Sequence, residues 1–189
     1  MEQEAPARPG SVPVVTLRRF ELGDVDAMLE WASDPEVTAF MAWDACTSRD
    51  ACTSRDALLA VLRDAVLPHP WFRAVCLGGG GGGPVGAVSV TPTDDACRAE
   101  LRVVLARAHR GKGVATAAAR RAVSAAFGDL PGVERVEALV DVDHNAAARR
   151  VLEKAGFQRE AVLRSYRVVK GRLRDVAVYS FISTDPVVE

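Results

Sequence analysis

Cysteine and histidine are scarce in this sequence. Its 189 residues include four cysteines and three histidines, and no Cys-x-x-Cys pair occurs. A disulfide framework or a structural zinc site needs more of these residues at short, regular spacings. We therefore expect no bound metal and a reducing compartment, namely the cytoplasm, with the nucleus as a further option.

Long apolar runs and net charge are also missing. No run approaches the ~20 residues that a membrane-spanning helix requires, and residues 1–6 lack the apolar core of a secretory signal. Lys and Arg number 24 against 25 Asp and Glu, which gives a net charge of −1. Generic nucleic-acid binding relies on a basic excess. We expect no membrane partner, and the balanced charge argues against a generic nucleic-acid partner.

What is present fits one packed domain. Hydrophobic residues make up 49% of the chain and charged residues 26%, a balance typical of soluble α/β or α proteins of this length. We predict a flexible proline-rich arm over residues 1–13, a single domain over 14–184 and a short tail over 185–189.

The charges are distributed unevenly along the chain. Residues 1–64 carry twelve acids and six bases, whereas residues 98–121 carry seven bases and one acid. Solvated side chains on exposed faces would explain this. The alternative is a pole that attracts an anion and another that attracts a cation.

Hydrophobic periodicity predicts an α/β fold with a mixed sheet and helices on its faces. The predicted strands are residues 14–20, 71–77, 84–90, 98–105, 136–140, 158–169 and 173–182, and the predicted helices are 24–31, 57–67, 114–127 and 145–155. Gly128 and Pro131 are expected to end the third helix, and Asp34-Pro35 to end the first or to turn the chain.

Two unusual segments are predicted to be structural connections. The hexapeptide at 45–50 is repeated at 51–56, which we interpret as a tandem duplication in a loop, with Thr53-x-x-Asp56 as a capping box for the next helix. Six glycines at 78–83 lead into a strand rather than into Gly-Lys-Ser/Thr and a helix. They therefore predict a hairpin connection and not a phosphate loop.

The segment from Arg107 to Thr116 is the best candidate for a ligand site. A strand ends, glycines follow and a helix begins, so unpaired N–H groups and a positive dipole meet at the helix start. Arg110 and Lys112 add positive charge, which suits a diphosphate. The G-x-G-x-x-G pattern is absent and Gly113 follows the lysine, which excludes dinucleotide and Walker loops. A plain glycine turn is the alternative.

Two motifs in this order resemble those of the GNAT superfamily of N-acetyltransferases. The sequence RGKGVA at 110–115 matches the (Q/R)-x-x-G-x-(G/A) signature, and NAAARRVLEKAGF at 145–157 is similar to the family's N-x-x-S-x-x-[VL]-L-E-K-x-G-F helix. Residues 99–105 look like the fourth strand of the family. The resemblance spans residues 14–183 and implies a GNAT fold, with a mostly antiparallel sheet of six to seven strands, splayed in the middle, and about four helices.

Further matches resemble one branch of this superfamily. Glu160 and Gly171-x-x-x-Asp175 are similar to the Rim-type (RimJ/RimL-like) branch, whose founders acetylate N-termini of ribosomal proteins, and residues 70–73 (PWFR) resemble its plant members. The implied reaction transfers acetyl from acetyl-CoA, as co-substrate, to a primary amine by direct attack. A protein or peptide N-terminal α-amine is the favoured acceptor.

The resemblance also assigns the acetyl-CoA site residue by residue. Backbone N–H groups of the signature loop would hold the pyrophosphate, at Arg110, Gly111, Lys112, Gly113, Val114, Ala115 and Thr116. The pantetheine arm would pair with the strand end at Val103, Val104 and Leu105. Asn145 would hydrogen-bond the pantetheine.

Catalysis is less well defined by the sequence. Glu100 is the candidate general base that deprotonates the amine, and an ion pair with Arg98 or Arg102 is its alternative role. The family's usual proton donors to the leaving thiolate are missing, because Leu152 and Ala148 stand at their positions. The candidates that stay open are Tyr166, Tyr179, Ser89 and water.

Three further functions stay open. The acidic surplus near Trp31, Trp43 and Trp71 suits a cationic acceptor, so a polyamine-like small amine is one of them. A module that binds acetyl-CoA with weak catalysis is a second, and an RNA- or ribosome-associated protein using the basic residues 146–174 is a third. A homodimer is an open option.

Overall fold

The computed structural model describes residues 14–38, 54–79, 81–143, 145–169 and 171–187. The predicted arm at 1–13, the last two residues of the tail, Trp43 and positions 45–53 of the repeated hexapeptide lie outside these ranges.

The described residues form seven strands in one mixed sheet with helices on both faces, as predicted. The strands are β1 (Val15–Arg18), β2 (Phe72–Leu77), β3 (Gly86–Pro92), β4 (Arg98–Leu105), β5 (Arg135–Asp141), β6 (Gln158–Val169) and β7 (Arg172–Ile182). The helices are α1 (Val25–Ala32), the single turn α2 (Pro35–Thr38), α3 (Arg55–Val61), α4 (Val114–Asp129) and α5 (Ala146–Ala155). The strand order is β1-β2-β3-β4-β5-β7-β6. The glycine run joins the antiparallel strands β2 and β3, which confirms the hairpin prediction.

The sheet opens between its two central strands. β4 and β5 run parallel and pair only over three residues each, Arg98–Glu100 with Arg135–Glu137. Beyond Glu100, β4 continues to Leu105 without a strand on that edge, while β5 continues to Asp141 beside β7. The predicted splay is therefore confirmed, and it leaves a cleft through the middle of the sheet.

Each face of the sheet has its own apolar core. On one face α4 and α5 cover the central strands, and the small side chains of α4 let that helix lie close to the sheet. Its buried alanines are Ala118, Ala119, Ala122 and Ala126. On the other face α1 and α3 cover the β1–β4 half, around Met28, Leu58 and Leu62. The sheet thus separates two sides of the central cleft, which we call the α4/α5 face and the α1/α3 face.

Three helix boundaries differ from the predictions, each for a local reason. Gly128 lies inside α4, which ends at Asp129, because a helix tolerates one glycine at a cost of about 1 kcal/mol. The first helix ends at Ala32, ahead of Asp34-Pro35 as predicted, but Pro35 also opens the unpredicted turn α2, since proline fits the first helical position and Asp34 Oδ1 accepts the Glu36 N–H at 2.9 Å. Ser54, rather than Thr53, caps α3, and its hydroxyl accepts the Ala57 N–H at 3.2 Å.

The other helix and strand boundaries lie closer to the predicted ones. α3 begins two residues before the predicted position and continues as a π-helical turn over Leu62–Val66, which together cover the predicted segment. β1 is shorter than predicted, and Phe20 beyond its end packs in the core on the α1/α3 face. Gly156 ends α5 with φ 98°, in the left-handed conformation expected of a C-terminal glycine.

A half-buried ion pair ties β1 to the turn that precedes α1. The carboxylate of Asp24 accepts hydrogen bonds from Arg18 at 2.7 and 2.8 Å and from the Glu21 N–H at 2.9 Å. Burial alone would raise the pKa of Asp24, but these hydrogen bonds outweigh it and lower the pKa below its ordinary value. Asp24 therefore stabilises the fold when it is ionised.

Replacing Asp24 by Asn should destabilise the protein at neutral pH. Breaking a fully buried pair costs about 3–5 kcal/mol, and since Arg18 keeps some exposure we expect a loss of roughly 2 kcal/mol in the free energy of unfolding. Because the folded pKa is depressed, this stabilisation is present above the unfolded pKa of about 3.9 and is lost as the pH falls through the folded value. Urea unfolding at pH 7 and at pH 3 measures both effects.

The neighbouring pair supplies the control. Asp26 binds Arg55 at 2.7 Å with side chains that are 69% and 54% exposed, so Asp26→Asn should change the stability little. Equal losses for the two variants, or a loss for Asp24→Asn that persists unchanged at pH 3, would contradict the role of the Asp24 charge.

Candidate functional site

The cleft between β4 and β5 forms a cavity of about 780 Å³. This volume is in the range of sites that hold cofactors and small ligands. Its walls come from β3, β4, β5, the first two turns of α4 and most of α5, together with Val37 of α2, Phe72 of β2 and Arg167 of β6. The cavity therefore contacts residues from both faces of the sheet.

The N-terminus of α4 opens onto the α4/α5 side of the cavity. Gly113 is the N-cap residue with φ 80°, and Gly111 has φ 74°, conformations that favour glycine. The first intrahelical hydrogen bond runs from the Ala117 N–H to the Gly113 carbonyl at 3.0 Å. Because the cap has no side chain, the N–H groups between these residues are left for a ligand.

Basic side chains surround this helix end. Arg110, Arg120, Arg150 and Lys154 line the cavity on this side, and Glu100 is the one acid among the described residues of its wall. Such a field attracts a polyanion. Two of these groups also brace the wall: Arg110 Nε donates to the Leu105 carbonyl at 3.3 Å, and Arg120 Nη2 donates to the Lys154 carbonyl at 2.6 Å.

The predicted loop residues fall into two groups. Arg110, Gly111, Gly113, Ala115 and Thr116 line the cavity. Lys112 is exposed beside it, and the Val114 side chain packs in the core, so Val114 can offer the ligand only its backbone.

The open edge of β4 presents alternate backbone groups to the cavity. The Ala106 N–H donates to the Val85 carbonyl at 2.9 Å, and the strand register pairs Ala87 with Val104. Since the ladder alternates along an antiparallel pair, the backbone of Val104 bonds β3, whereas that of Val103 and Leu105 points into the cleft. All three residues line the cavity.

Asn145 occupies the start of α5, where it faces the cavity. Its side-chain oxygen accepts the Ala148 N–H at 3.1 Å, so Asn145 is the N-cap of α5. An N-cap uses only the amide oxygen, so the amide NH₂ is left as a donor. The residue can therefore start the helix and bind a ligand at once.

Glu100 and Arg102 lie on the α1/α3 side of the cavity, opposite the basic helix ends. Register places Ser89 across from Arg102, and Thr91 across from Glu100, on the same face of the sheet. Arg102 donates to both carboxylate oxygens of Glu100, from Nε at 3.1 Å and from Nη2 at 3.3 Å. Glu100 thus makes the ion pair considered from the sequence and also lines the cavity.

The candidate proton donors differ in their access to the cavity. Ala148 and Leu152 line it, so the missing hydroxyls leave an apolar wall there. The Tyr179 side chain is buried and its hydroxyl donates to Glu153 at 2.9 Å, outside the cavity wall. Tyr166 is half exposed and also outside that wall, whereas Ser89 is buried within it.

The acidic surplus of the first helices does not form a wall of the cavity in the described ranges. Two of its carboxylates pair with arginines elsewhere: Asp26 with Arg55 at 2.7 Å and Glu36 with Arg107 at 3.3 Å. The described tryptophans are core residues. Trp31 donates to the Pro84 carbonyl at 2.9 Å, and Trp71 donates to Asp129 at 2.9 Å.

Arg120, Arg150, Lys154 and Arg167 line the cavity without having been predicted as site residues. Helical spacing carried a signal for three of them, because Arg120 follows Thr116 by four residues and Lys154 follows Arg150 by four. No local pattern distinguished Arg167 from the other arginines of the last two strands.

The family model described as an acetyltransferase (GNAT) domain matches residues 15–158 of this chain. The chain belongs to the GNAT family. Members use acetyl-CoA as co-substrate, so the protein is an acetyl-CoA-dependent N-acetyltransferase, and the glycine-capped helix with its basic surround fits that anionic donor.

Relatives of this GNAT chain match it over nearly its full length. The uncharacterized N-acetyltransferase p20 of Bacillus licheniformis is 32% identical over 172 residues, which cover 90% of this chain and 94% of p20. A GNAT-family acetyltransferase from Bacillus anthracis has a TM-score of 0.73 at 19% identity, covering 91% of this chain and 96% of that one. Spermidine N-acetyltransferase from Vibrio cholerae, in complex with CoA and spermine, has a TM-score of 0.69 at 20% identity, covering 90% and 96%. At these identities the two structures show the shared fold.

The described ranges of the GNAT domain contain no cluster of metal ligands, since no three His, Cys, Asp or Glu side chains come together there. None of the described helices combines the length and apolarity needed to span a bilayer.

Proposed function

We propose that this GNAT enzyme acetylates the α-amine of a peptide or protein N-terminus by direct attack within a ternary complex. The observation that carries the proposal is the single cavity that contacts both faces of the splayed sheet. A donor bound on the α4/α5 side and an acceptor on the α1/α3 side would meet between β4 and β5. Proximity of this kind removes much of the entropic cost of a bimolecular step.

The donor assignments extend the signature loop to its neighbours. The diphosphate of acetyl-CoA would accept hydrogen bonds from the loop and the first turn of α4, while Arg120 and Lys154 add charge. The pantetheine amides would pair with the free backbone groups of Val103 and Leu105, and Asn145 would donate its NH₂.

Glu100 would act as the general base. Its oxygens bind Arg102 but keep further acceptor sites, so the carboxylate can take a proton from the attacking ammonium directly or through water. The neutral amine then forms the C–N bond as the C–S bond breaks, the nitrogen passes its second proton to Ser89 or to water, and the thiolate takes up a proton. Ser89, which lines the cavity, or water would supply that proton.

A covalent acetyl-enzyme has no support among the described residues. Cys76 is buried in the core on the α1/α3 face, Cys97 is exposed, and neither lines the cavity. Since neither described cysteine lies in the cavity beside a base, direct attack is the route that the described residues support.

The acceptor assignment rests on the Rim-type resemblance and on the charge of the cavity. A polyamine is the rival, since a structural relative is a spermidine N-acetyltransferase. A polycation needs several carboxylates, whereas Glu100 is the one acid of the described wall and already binds Arg102. A peptide α-amine with a pKa of about 7.7–8.0 also demands less of the base than a lysine-like amine does.

The apolar wall beside α5 bears on whether the enzyme turns over quickly. Ala148 and Leu152 put no hydroxyl beside the thiol, which would suit a weakly catalytic acetyl-CoA-binding module.

We infer a cytoplasmic enzyme from its few cysteines. The Rim-type branch and the homodimer stay predictions.

Acceptor classes can be separated in one assay. Purified protein with acetyl-CoA should acetylate N-terminal α-amines in a library of short peptides, with kcat/KM at least about tenfold above that for spermidine, because the described wall offers a polycation little charge complementarity. Mass spectrometry of the products and release of free CoA measure both. Spermidine as the better acceptor would favour the polyamine rival, and binding of acetyl-CoA without turnover of any amine would favour the binding module.

A further inference from the structure

The cleft wall contains a half-buried guanidinium, that of Arg167. It lies on β6 and lines the cavity. Its Nε is shielded from solvent and unpaired, as is the Nε of four other arginines. Three of those four, Arg98, Arg120 and Arg174, also contact a carboxylate or carbonyl oxygen, whereas the Arg167 side chain makes no hydrogen bond or ion pair with the residues that the structure describes. Buried polar atoms of folded proteins nearly always have a partner, so an unpaired one calls for an explanation.

The neighbouring arginines of the same face show what a paired arrangement looks like. Arg174, across from Arg167 in the register, lies 3.8 Å from a carboxylate oxygen of Asp141. Arg135 binds Glu160 at 2.6 Å, and Arg98 lies 3.4 Å from Glu137. A structural role would give Arg167 a similar partner.

Arg167 belongs to the acceptor side of the cavity. On β5, Val140 packs in the core on the α4/α5 face, so the next residue, Asp141, points to the α1/α3 face. Arg174 binds Asp141 and lies on that same face. The register pairs Arg167 with Arg174, which places Arg167 on the α1/α3 face as well. The donor phosphates are expected on the opposite face, at the N-terminus of α4. A ligand that pairs with Arg167 would therefore be the acceptor.

The charge balance on that side favours an anionic group. Among the described wall residues of the α1/α3 face, Glu100 and Arg102 neutralise each other, and Arg167 adds one uncompensated positive charge. Val37, Phe72 and Leu139 supply apolar surface around them. Arginine binds carboxylates in a bidentate geometry that is stronger than a neutral hydrogen bond.

We propose that Arg167 selects acceptors that carry a carboxylate close to the reactive amine. This inference rests on the proposed function and narrows it, because a peptide N-terminus would meet the requirement with Asp or Glu among its first residues. A free amino acid offers the same carboxylate on its α-carbon. Both sources share the chemistry, and the acceptors in the test distinguish them.

The test compares wild type with Arg167→Gln on matched acceptors. Peptides with Asp or Asn at the first or second position differ only in charge, and free aspartate, its α-amide and spermidine complete the set. Wild type should prefer the carboxylate over its amide by about tenfold or more in kcat/KM, and Arg167→Gln should reduce that ratio to near one. In this variant kcat/KM should fall more for the carboxylate peptides than for their amide counterparts.

Arg172→Gln is the matched control. Arg172 starts β7 on the same hairpin, is exposed and does not line the cavity. Its variant removes the same charge and should keep the wild-type ratio. Equal melting temperatures for the three proteins would exclude a loss of folding.

The outcomes separate this inference from the proposed function. Equal acetylation of acidic and amide peptides by wild type, or a ratio that survives in Arg167→Gln, would overturn the inference and leave the function standing. Acetylation of free aspartate alone would support the inference and remove the peptide acceptor, whereas spermidine alone would overturn both. Where turnover is too slow, calorimetric Kd values for the same peptides on the enzyme–CoA complex give the same comparison.

Discussion

Gly113→Glu should abolish acetyl-CoA binding at micromolar ligand, with a Kd at least about 100-fold above that of wild type. The N-cap position has φ 80°, which a residue with a Cβ adopts only with strain. The new carboxylate would lie beside the free N–H groups of α4 and repel the diphosphate. Each charge-assisted hydrogen bond is worth about 1.5–3 kcal/mol, so losing two of them accounts for this change.

Gly132→Glu is the control for this substitution. Gly132 has φ 85°, is exposed in the turn before β5 and does not line the cavity, so it imposes a similar backbone strain and the same charge away from the ligand. Calorimetric titration with acetyl-CoA, together with melting temperatures, compares the three proteins. A Gly113→Glu protein that binds acetyl-CoA as tightly as wild type would show that this helix end does not hold the diphosphate.

The donor side of the site was largely predictable because its parts are local in sequence. A strand, two glycines and a helix start fall within residues 98–116, and glycine at the N-cap leaves the N–H groups free whatever the rest of the chain does. Asn145 is local in the same way, since capping depends on the residues that immediately follow it. The splay of β4 from β5 came from the family resemblance and not from periodicity.

The acceptor side could not be predicted in the same way because it is assembled from distant strands. Arg102 and Arg167 are 65 positions apart and share a wall only because β5 and β7 lie between their strands. The acidic surplus near the N-terminus suggested an acidic acceptor wall, but several of those carboxylates pair with arginines elsewhere, for instance Glu36 with Arg107, and none of the described ones lines the cavity. Composition gives a segment's charge, whereas only the fold shows which charges stay unpaired.

Glu100→Gln should lower kcat/KM for a peptide α-amine by about 100-fold near pH 6.5, with a much smaller loss near pH 9. General bases contribute about 10²–10⁴-fold to such reactions. An α-amine with a pKa of about 7.7–8.0 is only a few per cent neutral near pH 6.5 and more than nine-tenths neutral near pH 9. Without the carboxylate, the enzyme must capture the small neutral fraction, so its rate should rise steeply with pH through the pKa of the amine.

Two further variants decide whether Glu100 acts as a base or as a structural partner of Arg102. Arg102→Gln removes the pairing but keeps the carboxylate, so it should retain most of the low-pH activity that Glu100→Gln loses. Glu137→Gln removes a carboxylate of the same face that binds Arg98 and Arg135 outside the cavity wall, and should leave the pH profile unchanged. Glu100→Gln removes the carboxylate, whereas Arg102→Gln keeps it and removes only the ion pair. If the two variants lose the same activity at every pH, the ion pair shapes the wall and the amine loses its proton to water rather than to Glu100.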